Sequence, residues 1–282
     1  MASIMKRNVL LGIILSGSSL TVFSQSSDIQ KPITITPNVS IQNFDWLERS
    51  TVGKIGVQLQ FKPIKKLNVS VDGSVFNSLG NATSSYGGIN AIGVADNKGN
   101  GYNAPVNGSN GQFNSGSNSE IKKSYQGAFI NIDAGIPIKL GDSSRTTIEP
   151  FVGIEGKIWS RTMDYGTEGN PMVYEEKYKF LSPSLGAKLS YSTKSKVKLS
   201  LRISASYPAI SKLKTESKSL TNPNAEIDLT KWLSPSVELG VRVKKITLKL
   251  RYERINVGTA DSIAKSCSPS MNVTGLSLGY DF

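Results

Sequence analysis

The feature that most constrains the fold of this chain is an alternation of apolar and polar side chains, which recurs in segment after segment from Ile33 onwards. The last segment, Thr274–Phe282 (TGLSLGYDF), places Thr, Leu, Leu, Tyr and Phe at every second position. Successive residues of a β-strand point to opposite faces, so each segment predicts a strand with one apolar and one polar face. A terminal strand needs a partner because a free edge promotes aggregation, and a closed barrel pairs the last strand with the first. A terminal strand of a soluble β-sandwich is the alternative.

The lengths of the connections between these segments are unequal in a regular way. The short connections follow Phe61, Ile138, Tyr191 and Val243, and the long ones follow Phe76, Trp159, Tyr207 and Ile255. Short periplasmic turns and long outer loops are typical of outer-membrane barrels, whereas a soluble sandwich has no reason to separate them. We therefore predict an all-β fold, a single antiparallel transmembrane β-barrel of ten strands, with eight or twelve as the alternatives. Pro37 predicts an irregular first strand.

The start of the chain has the pattern of an export signal. Lys6 and Arg7 precede an apolar run from Val9 to Leu15, and small polar residues and then Val22-Phe23-Ser24-Gln25 follow. The run is shorter than the roughly 18 to 20 residues of a transmembrane helix. We predict a signal peptide at residues 1–24 and a barrel domain at residues 25–282, with a long outer loop at about 77–124 that is rich in Gly, Asn and Ser.

The three tryptophans fall at the long-loop ends of their strands. Trp46, Trp159 and Trp232 are predicted to form an aromatic belt, because amphipathic rings favour membrane interfaces. A general preference of aromatic residues for strand ends is the alternative explanation.

The composition argues against enzyme chemistry. The chain has no His and a single Cys, Cys267. Histidine is the usual base of serine hydrolases and a common zinc ligand, so we predict no enzyme and no catalytic, cofactor-binding or metal site. The formal net charge of +12 would suggest nucleic acid as a partner. The basic residues are dispersed over turns and strand ends, however, so we expect no nucleic-acid binding and regard anionic lipid head groups as their counterpart.

The polar faces of the strands would line the interior of the barrel. The predicted lumen charges are Glu149, Glu155, Lys157, Lys188, Arg202, Glu238, Arg242, Arg251 and Glu253. Side chains nearly fill small barrels, so we expect these charges to pair in a closed interior. A narrow pore with a slight anion preference is the alternative.

On its signal segment, its alternating strands and the ending TGLSLGYDF, the chain resembles Gram-negative outer-membrane β-barrel proteins. Its Phe-Ser-Gln sequence at the predicted cleavage site resembles Bacteroidetes-type exported proteins. The resemblance implies a location in the cell outer membrane, with membrane lipid and the barrel-assembly machinery as partners. It also implies an assembly signal formed by Leu276, Leu278, Tyr280 and Phe282. The lack of His departs from barrel enzymes such as the omptin proteases, and no specific functional family is matched.

These observations together predict a non-enzymatic barrel protein with a structural or surface-interaction role. The outer loops would carry that role, with an extracellular ligand as a candidate partner. A narrow porin or channel for small solutes is the second hypothesis, and a secreted soluble β-rich binding protein is the third.

Overall fold

A computed structural model describes residues 33–46, 49–64, 66–80, 82–83, 94–95, 101–102, 122–141, 145–164, 173–195, 197–217, 225–229, 231–257 and 270–282. The predicted signal peptide, most of the predicted loop at 77–124 and Cys267 lie outside these residues. Within the described ranges, no helix is long and apolar enough to cross a membrane.

Ten strands form the wall of the molecule. They are β1 (Thr34–Asp45), β2 (Arg49–Ile64), β3 (Leu67–Ser78), β4 (Lys122–Gly135), β5 (Thr146–Asp164), β6 (Val173–Ser192), β7 (Val197–Ser206), β8 (Ser234–Val243), β9 (Ile246–Asn256) and β10 (Ser270–Tyr280). Each strand is antiparallel to the next, and β10 pairs with β1 from Asn38 opposite Gly279 to Asp45 opposite Asn272. The sheet is therefore a closed ten-stranded antiparallel barrel, which confirms the predicted fold class.

Shorter strands extend this wall. Ile138–Leu140 continues the line of β4 beside β5, and Ile210–Ser217 continues the line of β7 beside the far half of β6. Ala225–Asp228 pairs with Ile210–Ser217, and we call these two strands the outer hairpin. Ala82–Thr83 pairs with β4, and Val94–Ala95 pairs with Gly101–Tyr102. The wall formed by β5, β6 and the outer hairpin is consequently taller than the rest of the barrel.

The strand β1 runs through Pro37 without interruption, contrary to the irregular strand that we predicted. The pairing of β1 with β10 begins at Asn38, and the next hydrogen bond in that direction is donated by Phe282 N to Ile35 O at 3.0 Å. Continuing this register places Pro37 opposite Tyr280 at a hydrogen-bonded position, so its missing N–H costs the ladder one hydrogen bond and interrupts the pairing near the strand end without breaking β1.

The two ends of the barrel differ in their connections. One end, which we call the turn end, carries the connections 65–66, 136–145, 193–196 and 244–245 together with Phe282. The other end, which we call the outer end, carries the connections 79–121, 165–172, 207–233 and 257–269. Residues 46–48, between β1 and β2, form a short connection at the outer end and are the exception to the predicted asymmetry.

The outward face of the wall is an apolar band. Leu185 on β6, Leu239 on β8 and Leu276 on β10 are each more than half exposed, as are many of their outward neighbours. A closed barrel satisfies its backbone hydrogen bonds without an edge, and an exposed apolar surface of this extent favours contact with lipid over water. The architecture is that of an integral outer-membrane barrel.

Candidate functional site: the barrel interior

All nine predicted lumen charges lie on the inner face of the wall. Most line cavities inside the barrel, and Glu253 is buried in contact with Lys157. The placement follows from strand phase, since each charge alternates with a residue of the outward apolar band. The interior holds two regions of different chemistry, a polar half towards the turn end and an apolar region towards the outer end.

A buried ion network crosses the middle of the barrel. Lys157 Nζ on β5 lies 2.6 Å from Glu155 Oε2 and also contacts Glu253 on β9. Arg251 Nη2 donates to Glu253 Oε2 at 2.9 Å. The strands β5 and β9 are four positions apart in a ring of ten, so the contact between Lys157 and Glu253 spans the lumen rather than following the wall. Removing one partner of a buried pair leaves an uncompensated charge, so the network strongly opposes rearrangement.

Further ion pairs lie in the half of the barrel interior nearer the turn end. Arg202 on β7 contacts Asp133 on β4 at 2.5 Å, and the Arg202 guanidinium lies 4.2 Å from the ring centre of Phe151. Arg242 contacts Asp281 at 2.6 Å, and Lys249 contacts Glu238 at 3.2 Å. These contacts join strands that are not neighbours as well as adjacent ones.

The space left in this half is small. Three cavities of about 90, 40 and 50 Å³ lie among the polar side chains. A water molecule needs on the order of 10 to 15 Å³ of such space, so each cavity has room for about three to nine waters. The polar lining of these cavities suits occupation by water.

The outer end of the interior is filled by aromatic and aliphatic side chains, which we call the outer plug. Its members are Phe44, Val52, Phe76, Tyr125, Trp159, Tyr178, Phe180, Leu213, Leu229, Ile255, Val257, Met271 and Val273. The Trp159 ring stacks on Tyr178 with centroids 5.1 Å apart and on Phe180 at 5.0 Å. Phe44 packs edge-on against Phe76 at 5.2 Å. Aromatic pairs at these distances are stabilised beyond the burial of their area.

The register of neighbouring strands brings several plug residues side by side. Phe76, Gly127, Trp159, Tyr178 and Leu213 are directly paired in sequence across five neighbouring strands. A Cβ added at Gly127 would lie 2.8 Å from Phe76 Cε1 and 2.7 Å from Trp159 Cβ. The glycine therefore leaves the space in which the rings on either side approach each other.

The predicted aromatic belt is wrong for two of its three members. Trp159 is only 3% exposed and lies in the plug. Trp46 is partly buried against the plug, packs edge-on to Tyr178 at 5.4 Å and lies 5.7 Å beneath the guanidinium of Arg161. Both rings point inward because the outer end of the barrel needs large side chains to fill it, whereas a belt residue would face lipid. Trp232 is 62% exposed, and its place in a belt stays a prediction.

A buried polar cluster covers one side of the plug. Arg161 Nη1 donates to Glu176 Oε2 at 3.1 Å, and the Tyr178 hydroxyl donates to the same oxygen at 2.9 Å. Leu213 and Leu229 of the outer hairpin region pack on the plug from this side. The hairpin thus adds to the closure of the barrel.

The outside of this tall wall carries paired charges. Lys177 Nζ lies 2.6 Å from Glu216 and 3.5 Å from Glu175, and Lys214 Nζ lies 2.9 Å from Glu216. Hydrogen bonds from Lys177 and then Lys214 lower the pKa of Glu216 to about 2. Lys212 pairs with Glu226 across the outer hairpin at 2.5 Å, and that hydrogen bond lowers the pKa of Glu226.

The predicted assembly-signal residues share one face. Leu276, Leu278, Tyr280 and Phe282 all point outward and are exposed, and the rings of Tyr280 and Phe282 lie 5.1 Å apart. Their recognition by an assembly machinery stays a prediction. Among the described residues, no three His, Cys, Asp or Glu side chains are close enough together to hold a metal ion.

Comparisons with known proteins find similar structures but no related sequence. No protein-family model matches the chain, and no curated protein sequence matches it. The outer membrane protease OmpT from Escherichia coli is similar in structure, at 11% identity over 89% of this chain and 95% of that one, with a TM-score of 0.43. A major outer membrane protein from Thermus thermophilus matches at 10% identity over 89% and 100% of the two chains, with a TM-score of 0.43. The translocator domain of the autotransporter NalP from Neisseria meningitidis matches at 10% identity over 89% and 88%, with a TM-score of 0.44.

Proposed function

We propose that this protein is a non-enzymatic, non-conducting outer-membrane barrel that acts through its outer end. The observation that carries the proposal is the outer plug, in which thirteen buried side chains of the described residues fill the outer end of the interior above the ion network that crosses it. A solute could cross the barrel only if the outer plug and the ion network both rearranged to leave a continuous passage. The interior is therefore suited to holding the wall rigid.

The outer end is the part of the molecule available for interaction. The tall wall of β5, β6 and the outer hairpin stands at this end, and the long connections, including residues 79–121, start and finish there. Binding residues are commonly carried on loops that a rigid scaffold positions. We propose that these connections contact an extracellular ligand and that membrane lipid surrounds the apolar band. The outward residues of the C-terminal segment are proposed to contact the assembly machinery.

Conductance separates this proposal from a narrow porin. The folded protein, purified in detergent and shown to migrate in its heat-sensitive folded form, would be added to planar lipid bilayers in concentrated KCl. We expect no stable unitary current steps, because the plug and the ion network exclude hydrated ions. Reproducible unitary steps from the unmodified protein would contradict the proposal and favour the porin.

A further inference from the structure

The turn end of the barrel is ringed by cations. Each of its four turns contributes at least one basic side chain, and we call this set the basic collar: Lys62, Lys66, Lys139, Arg145, Lys194, Lys244 and Lys245. Arg145 is half-buried and the six lysines are exposed. The described residues of the four turns include no carboxylate; Asp142 lies outside them.

The collar differs from the outside of the tall wall, where several cations are paired with glutamates. At the outer end, Lys177, Lys212 and Lys214 each lie within 4 Å of a glutamate. In the described part of the chain, no collar residue forms such an ion pair. The nearby carboxylate of Asp281 is already paired with Arg242. Like charges in a ring repel one another, so an anion from outside the chain that binds there would lower this repulsion.

The collar begins where the apolar band ends. Ile64, Leu140 and Ile246 are exposed apolar residues that lie within two positions of collar cations. Lys245 Nζ lies 5.6 Å from the ring centre of Tyr280, one of the outward residues. This contact places the ammonium group on the lipid side of the rim rather than over the barrel mouth. Lysine stems commonly lie along apolar surface while the charge reaches the interface.

From this arrangement we propose that the basic collar binds the phosphate groups of anionic phospholipids in the leaflet on the turn side. Lipid is the occupant because Lys245 lies against an outward ring, exposed apolar residues are close in sequence to collar cations, and the collar extends over four turns. A soluble or cell-wall polyanion would instead favour a patch over the mouth. The inference rests on the barrel spanning a membrane, and it adds a lipid class to that location.

Lipid retention tests the collar directly. Delipidated folded barrel in a nonionic detergent would be titrated with phosphatidylglycerol or with phosphatidylcholine of the same acyl chains, and bound lipids counted by native mass spectrometry. We expect a clear excess of bound phosphatidylglycerol. In the triple variant Lys62→Gln, Lys139→Gln, Lys245→Gln, the excess of bound phosphatidylglycerol over phosphatidylcholine should fall about tenfold, because each lysine near an anionic head group contributes attraction. Lys244 is left unchanged because its φ of 54° is a left-handed turn conformation.

A matched variant at the outer end is the control. Lys179→Gln, Lys231→Gln, Arg254→Gln removes the same charge from three exposed residues, and it should retain phosphatidylglycerol like the unmodified protein. Equal retention of the two lipids, or an equal loss in both triple variants, would overturn the proposal. So would binding of soluble peptidoglycan fragments without a lipid preference.

Two further measurements keep the outcomes separate. Heat-sensitive gel migration of each variant reports whether the barrel folds, so failure of the lipid proposal is distinguishable from failure to form a membrane barrel. If the collar variant does not fold, the salt dependence of lipid binding by the unmodified protein still tests the proposal. At about 1 M salt, where the Debye length is about 3 Å, its preference for phosphatidylglycerol should vanish. A preference that persists there would contradict an electrostatic collar.

Discussion

The two halves of the barrel interior are built by the same strands in the same alternation, yet they are closed in different ways. On β3 the inner positions run Ser70, Asp72 and Ser74 and then change to Phe76. On β10 they run from Gly279 and Ser277 at the turn end to Val273 and Met271 at the outer end. The half towards the turn end is held by ion pairs around polar cavities, and the outer end is held by packed rings.

This difference shows that the strand register of a barrel wall determines which side chains meet in the interior. Whether they are held by ion pairs or by apolar packing depends on the side chains themselves. Ion pairs beside water-filled cavities tolerate the loss of a partner, because water can solvate the remaining charge. In the network beneath the plug, Glu155, Lys157 and Glu253 are each at most 6% exposed, so loss of a partner there leaves a desolvated charge. The free energy of unfolding should therefore respond more strongly to changes near the plug than to equivalent changes near the turn end.

The largest effect is expected from Glu253→Ala. The substitution leaves Lys157 and Arg251 without their shared carboxylate and should lower the free energy of unfolding by about 3 to 5 kcal/mol. The matched change Glu149→Ala, at a residue that lines the cavity of about 90 Å³ and accepts a hydrogen bond from Asn68, should cost about 1 kcal/mol. Reversible urea unfolding in lipid vesicles measures both. Equal losses would show that the two halves do not differ in hydration.

A smaller effect is expected when a ring is removed from each half. Trp159→Ala opens a void in the plug and should cost about 3 kcal/mol. Phe151→Ala removes a ring that lies against Arg202 beside a cavity, and water can enter there, so about 1 to 2 kcal/mol is expected. Trp159→Phe should retain much of the stability, because Trp159 Nε1 donates to no acceptor among the described residues. The same unfolding experiment ranks the three variants, and a loss for Phe151→Ala as large as that for Trp159→Ala would contradict a hydrated turn end.

Much of the wall could be predicted because alternation reports strand faces directly. The order of the ten strands, the pairing of the last with the first and the inner position of charges such as Glu155 and Arg251 follow from the two-residue period. The outer hairpin could not be predicted, because its strand Ile210–Ser217 continues the line of β7 after the break at residues 207–209. Its contacts are made with β6, far from any local pattern.

The outer plug was missed for a different reason. Position near a strand end suggested that Trp159 faces lipid, but its phase places it with Glu155 and Lys157 on the inner face. The same phase rule puts Phe180 with Ser182 and Ser184. The signal was present in the sequence, and strand phase outweighs position in deciding which way an aromatic ring points. The cross-barrel contact of Lys157 with Glu253 could not be found this way, because it depends on barrel diameter and side-chain length.

The smallest effect concerns the tall wall at the outer end, where charges are paired but exposed. The pKa of Glu216 is lowered to about 2 from an ordinary value of 4.5, so its pairing stabilises the fold above the ordinary pKa. That contribution is lost as the pH falls from about 4.5 towards 2, and Glu226 acts in the same direction. Hydrogen exchange of residues 210–217, corrected for the intrinsic rate, should show protection that declines over this range while the plug strands stay protected. Because the pairs are exposed, the decline should be slight and weaker at high salt. Glu216→Gln should flatten it, and an unchanged pH profile in that variant would mean that other carboxylates control the hairpin.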